Sequence, residues 1–380
     1  MSAFVPPPPQ RPWGHRLFFP AAALYAALSV PLWVAGYFGW LGIGWTPALH
    51  AHEMLMGYAL AVVGGFLLTR PSGVALTVAF AAWLAGRLAV LGGLPPEIAA
   101  PVALSYPVAL FVVAGLPFLR AAKSGHNMLF GPVIGAFALA EALVWWGGDG
   151  GRTGALFALH LVGILMLVMG GRIIPSATAG EVRQQGGTLV ERVQPRLEWA
   201  GVAGAVLAAL TVAVGGAGGG VVGGAVGPLA WIGAAGAALA GVTAWARLAR
   251  WRTGAVLGRP DLWSLHLGYG WLGLGWLFLG VERLAPLTGG AGWHVIGAGA
   301  LGTLAASMMV RATLQREALS PNFSRPATAA IVLVGLSAAL RVAAASTAPD
   351  LLMPAAALAW SGAHLLVLWV LLRVPKRFTA

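Results

Sequence analysis

Apolar runs of about 20 residues follow one another along the chain, separated by short clusters of Pro, Gly and Arg, and that rhythm leaves few folds open. Each run is long enough to cross a bilayer as a helix. Helices satisfy their own backbone polar groups in lipid, whereas open sheets leave them stranded. The composition agrees: 59% of residues are hydrophobic, 9% are charged and mean hydropathy is +0.82. The expected fold is all-α, a polytopic membrane protein of about twelve transmembrane helices. The expected limits are 17–41, 48–69, 73–93, 98–119, 129–147, 153–174, 199–217, 226–248, 262–283, 291–313, 326–346 and 350–373.

The basic residues set the expected orientation. With the N-terminus in the cytoplasm, 19 of the 23 Lys and Arg fall on cytoplasmic segments. Only Arg152 and Arg283 fall on outer loops, and Arg87 and Arg341 lie inside spans. Such a bias follows the positive-inside rule and puts both termini in the cytoplasm. Residues 1–16 then form a short Pro-rich tail, 17–373 a single membrane domain and 374–380 a second tail. The apolar stretch after the proline run is long enough to span, so the N-terminus does not read as a signal peptide. The net charge of +12 is spread over several short loops, which argues against a nucleic-acid partner and for the lipid bilayer as the chain's environment. Segment 175–198 reads as a solvated connection. The glycine-rich stretch 215–227 reads as a turn, since no strand precedes it to make a phosphate loop.

Against this apolar background seven polar residues stand out: His50, His52, Glu53, Glu141, His160, Glu282 and His294. The orientation above puts most of them at similar depth near the outer face. Ionisable groups inside a membrane are costly and mark functional sites by default. Histidines with carboxylates point to a metal or a proton-handling centre. Cysteine is absent, which excludes disulfides, thiolate ligands and covalently attached c-type haem.

The segment HAHEM is the most specific signal. On a regular helix His50 and Glu53 share a face, and His52 points roughly 200° away from His50. One metal cannot then take both histidines, and the segment presents two faces to two partners. Glu53 and Glu141 are candidate proton carriers, and His160 lies roughly 10 Å below the outer boundary. Glu282 reads as a surface partner of Arg283. His266 and His364 sit toward the inner side as ligands or packing residues, and His15 and His126 read as solvated. Spans 2, 6 and 10 each carry His near the outer end and Arg at the inner end.

The stretches HAHEMLMGYALAVVGGFLLTRP, GGRIIPSAT, RPDLWSLHLGYGWLGLGWLFLG and WHVIGAGALGTLAASMMVRATL resemble, in order and spacing, the motifs of the NnrS family. The resemblance implies a protein of the bacterial inner membrane that contains haem b, together with copper or a second metal ion, and acts on nitric oxide. Position by position it covers His50, His52, Glu53, Arg172, His266 and His294. As cofactor-binding residues it implies His50, His52, His266 and His294, with Arg172 toward a haem propionate. Read with depth, the metal set is His50, His52, His160 and His294, and the catalytic carboxylates are Glu53 and Glu141. The implied activity is reduction of nitric oxide to nitrous oxide, with electrons from an unidentified donor, a quinol or an external redox protein. A haem that binds nitric oxide without turnover, as sensor or scavenger, is the alternative. A proton-coupled transporter is the third reading.

Overall fold

A computed structural model describes residues 14–69, 72–121, 129–190, 194–217, 221–222, 225–285 and 290–375. His126 and most of both expected tails lie outside the described residues. The regular structure of the described residues is helical, apart from two antiparallel two-residue strands, β1 (Val221–Val222) and β2 (Ala225–Val226), within the glycine-rich stretch.

Nine helices among the described residues are long and apolar enough to cross a membrane. In chain order these are α1 (His15–Tyr37), α4 (Gly73–Leu91), the continuous Pro96–Arg120 rod, α8 (Arg152–Gln184), α9 (Pro195–Gly215), α10 (Pro228–Ala249), the Ala291–Arg316 rod, α14 (Arg325–Ala343) and α15 (Pro349–Arg373). The Pro96–Arg120 rod comprises α5 (Pro96–Leu110), a π-turn at Phe111–Gly115 and the start of α6 (Leu116–Ala121). The Ala291–Arg316 rod comprises α12 (Ala291–His294), a π-helical segment Val295–Leu301 and α13 (Gly302–Arg316). Three further helical segments occupy the remaining expected positions. They are α2 (Pro47–His52) continued by a π-helical Glu53–Ala59 and α3 (Leu60–Leu67), the shorter apolar α7 (Phe130–Trp146), and α11 (Pro260–Leu284).

The helices that carry His50, His160 and His294 occupy the centre of the bundle. The most hydrophobic window of α8 is 89% buried and that of Ala291–Arg316 is 83% buried, against 33–50% for the other seven. Helix α8 touches the π-helical segments Glu53–Ala59 and Val295–Leu301, so the three histidine-bearing rods share one interior. Helix α1 packs on α15, closing the ring with the first and last elements.

At two of the prolines inside these helices, Pro31 and Pro175, a neighbour satisfies the carbonyl that the proline frees. Pro31 cannot donate to Ala27, and Ser361 Oγ donates to that oxygen at 2.7 Å. Pro175 cannot donate to Gly171, and Arg247 Nη2 donates there at 3.0 Å. With that repair α8 runs on to Gln184, so the first part of the expected 175–198 loop is helix. Around the first π-helical segment, Trp83 Nε1 donates to Gly57 O at 2.9 Å and Tyr106 OH to Leu60 O at 3.0 Å. Close helix approach needs glycine at Gly154, where a Cβ would lie 2.3 Å from Val144 N and 2.5 Å from Ala140 O.

The expectation for His15 is corrected. It starts α1 at 1% exposure, with Nε2 3.4 Å from Glu317 Oε1. Arg16 grips the same carboxylate with two bonds of 2.8 Å, which draws this turn of chain into the bundle.

Candidate functional site

Thr46 starts the second rod: its side-chain oxygen accepts from Leu49 N at 3.2 Å, and Pro47 follows at the first helical position. His50 therefore falls in the first turn, where its ring stacks on Trp33 with centroids 4.3 Å apart. Gly290 starts the tenth rod with a left-handed φ of 75°, a conformation glycine adopts without strain. Its carbonyl accepts from His294 Nδ1 at 2.9 Å, and Glu282 Oε1 accepts from Gly292 N at 2.7 Å, satisfying a free helix-end donor. His160 is fixed by Nδ1 donating to Leu156 O at 2.7 Å and by the edge of Trp276, 5.3 Å away. Gly163 admits that indole, since a Cβ there would lie 2.6 Å from it.

His50, His160 and His294 line one cavity of about 730 Å³. That is the size of a pocket for a cofactor-sized ligand. The His50 and His294 rings are 6.5 Å apart and near parallel at 15°. In His160 and His294 the Nδ1–H bond to a backbone carbonyl leaves Nε2 as the basic nitrogen, the arrangement typical of metal-ligating histidine. Tyr58 and Trp360 lie in the same wall, and Tyr58 OH is 3.0 Å from His364 Nε2. His364 Nδ1 donates in turn to Trp360 O at 2.9 Å. Glu282 also lines the cavity, and it bonds Gly292 rather than Arg283, contrary to the surface-pair expectation. Of the methionines flanking the HAHEM histidines, Met54 lines the cavity and Met56 is packed in the core.

The other face of the second rod carries a separate buried network. His52 Nδ1 lies 2.7 Å from Glu53 Oε1, and His52 Nε2 lies 2.9 and 3.0 Å from the two oxygens of Glu141. Arg87 Nη1 donates to Glu53 Oε1 at 2.7 Å, Tyr25 OH bonds Glu53 Oε2, and Trp145 Nε1 donates to Glu141 Oε1 at 2.8 Å. His52, Glu53, Arg87 and Glu141 are each at most 3% exposed. Ionised carboxylates only accept hydrogen bonds. Oxygens facing both ring nitrogens therefore call for an N–H on each, or for a proton on one carboxyl. One Arg, one His and two carboxylates balance in charge and hold at least one mobile proton among them.

Several expected site residues are thus not brought together. His52, Glu53 and Glu141 do not line the cavity, and among the described residues no three His, Asp or Glu side chains are grouped to hold a metal ion. The two faces of HAHEM are real, but Glu53 sides with His52 and not with His50. Glu53 is held on that side by His52, Arg87 and Tyr25, and the helix turns π-helical from Glu53 onward. His266 lies elsewhere at 2% exposure, with Thr178 Oγ1 at 2.8 Å from Nε2 and Thr253 Oγ1 at 2.9 Å from Nδ1. Both its nitrogens are taken by hydroxyls. Arg172 is near the opposite end of α8, with its guanidinium 5.9 Å from the Phe130 ring centre.

Three cavity residues were not singled out from sequence: Arg152, Arg283 and Arg341. Their signal was available. Arg152 and Arg283 are the two cations on the expected outer loops, and Arg341 is one of two inside a span.

These features define a polytopic helical membrane protein with a histidine-lined interior cavity near one end of its bundle. The chain belongs to the NnrS family, whose model, described as NnrS protein, matches residues 11–375. That family is linked to the response to nitric oxide. No curated protein matches the chain.

Proposed function

We propose that this chain is a haem-containing membrane protein of the bacterial inner membrane that reduces nitric oxide to nitrous oxide, with the haem in the His50/His160/His294 cavity. The observation that carries the reading is the convergence of three histidines from distant rods on one cofactor-sized cavity, two of them with Nδ1 committed to backbone. Their donor chemistry fits a haem, which needs only one or two axial nitrogens, better than a compact metal site needing three or four ligands. The described residues do not gather into a site for copper or another second metal, because the expected set His50, His52, His160 and His294 is divided between two faces of a helix. We read the twelve helical rods as twelve spans with both termini cytoplasmic, which puts the cavity mouth on the outer side.

When bound, the haem supplies an iron that binds nitric oxide and passes electrons. Joining two nitric oxide molecules consumes two electrons and two protons and yields nitrous oxide and water. His50, His160 and His294 hold and orient the cofactor. Asp149, Glu282 and Tyr58, the last bonded to His364, are proton-bearing groups that line the cavity, and the Glu53/His52/Glu141 network is a reserve behind the helix wall. Nitric oxide is small and apolar, so it reaches the site through the bilayer. A quinol or an external redox protein supplies the electrons; nucleic acid has no part.

The test is anaerobic. Purified protein given nitric oxide and a chemical reductant is expected to release nitrous oxide, measured by gas chromatography. Uptake of nitric oxide by a haem protein without nitrous oxide would overturn turnover and leave the sensor or scavenger reading. One observation favours that second reading: the carboxylates of the HAHEM network do not open onto the cavity. A purified protein without haem would return the case to a proton-coupled transporter.

A further inference from the structure

Guanidinium groups are rare inside membranes and on outer loops, and each needs a reason to be there. Of the four arginines in such places, Arg87 has its reason in Glu53. The remaining three, Arg152, Arg283 and Arg341, come from the starts or ends of three different helices and all line the histidine cavity. Two carboxylates share that lining, Asp149 and Glu282. Asp149 is spent on the N–H and hydroxyl of Thr153, at 2.9 and 2.5 Å, and Glu282 on Gly292 N. Among the described residues none of the three arginines forms an ion pair with either. Arg283 has one long bond, Nη1 to Gly216 O at 3.4 Å, while its buried Nε and Nη2 have no partner. A buried charged donor without a partner is costly, so a site that keeps it has a use for it.

We propose that Arg152, Arg283 and Arg341 form an oxyanion-binding wall in the cavity, built to take planar, negatively charged oxygen groups of a ligand that shares the cavity with the histidines. Guanidinium forks match carboxylates and small inorganic oxyanions alike. Arg152 is exposed, and Arg283 and Arg341 are half-buried. The shared chemistry has two sources. One is the carboxylate pair of a haem, and that source rests on the proposed function. The other is a free oxyanion such as nitrite, which does not.

The test uses full-length protein in detergent, produced without added haem, with R283Q and R341Q compared with R283K and R341K, which keep the charge. In the first arm the protein is titrated with haemin and with haemin dimethyl ester, whose carboxylates are blocked. Haemin is expected to bind the parent roughly ten- to a hundredfold more tightly than its ester, with most of the gap lost in each Gln variant and largely kept in the Lys variants. In the second arm the unfolding midpoint is measured with sodium nitrite against sodium chloride at equal ionic strength. A nitrite-specific rise in the parent, absent from the Gln variants, assigns the wall to a free oxyanion. A parent that binds neither haemin nor its ester defeats the haem reading, and the nitrite arm alone then decides the wall. Equal affinity for haemin and ester together with no nitrite-specific rise overturns the proposal, as does either effect surviving unchanged in both Gln variants.

Discussion

Arg87→Met is expected to destabilise the protein by about 3–5 kcal/mol, one of the two largest effects of any single substitution considered for this chain. Arg87 and Glu53 are both 3% exposed and joined at 2.7 Å within the bundle. Methionine fills much of the arginine's volume, so the loss is electrostatic and not a cavity effect. Without the guanidinium, two buried carboxylates share one imidazole, and Glu53 is left with His52 and Tyr25. Breaking such a pair costs more than removing it whole. The double variant Arg87→Met with Glu53→Met is therefore expected to recover part of the loss. The measurement is the unfolding midpoint of the purified protein in detergent, for parent, single and double variants. A single variant as stable as the parent, or a double variant losing the sum of two singles, would mean that the network carries no coupled charge.

His294→Ala and His50→Ala are expected to remove most of the bound cofactor while leaving insertion and yield near the parent's. Both rings face the cavity, and neither is bonded to a carboxylate. Removing either imidazole leaves the rest of the cavity lining in place. His52→Ala should do the reverse, keeping cofactor and losing stability, because His52 bridges Glu53 and Glu141 behind the cavity wall. Cofactor content per chain and unfolding midpoint, measured on all three variants, separate the two roles. Parent-level cofactor in both His294→Ala and His50→Ala, or its loss in His52→Ala alone, would reverse the assignment of the two faces of HAHEM.

Much of this architecture is readable from the sequence because membrane constraints are local. Run length marks each rod, and every expected span overlaps a helix. Helix α8 exceeds its expected end because Pro175 reads as a breaker until Arg247, 72 positions on, is seen to satisfy the freed carbonyl. The candidate site was half legible. His50, His160 and His294 were recognisable as costly residues at similar depth. That Glu53 joins His52 rather than His50 was not, because it depends on partners from distant rods, Arg87 and Tyr25, with Glu141 on the far side of His52. His266 stayed open from sequence between ligand and packing residue, because its hydroxyl partners Thr178 and Thr253 belong to other parts of the chain. Arg341 was visible as a charge inside a span, but only the fold shows that it meets Arg152 and Arg283 beside the histidines.

The measurement closest to the central claim is the visible spectrum of the full-length protein, purified from haem-replete cells, reduced, and titrated with nitric oxide in the absence of oxygen. The account predicts a Soret band that shifts as nitric oxide is added. A colourless protein, or a band indifferent to nitric oxide, would contradict it.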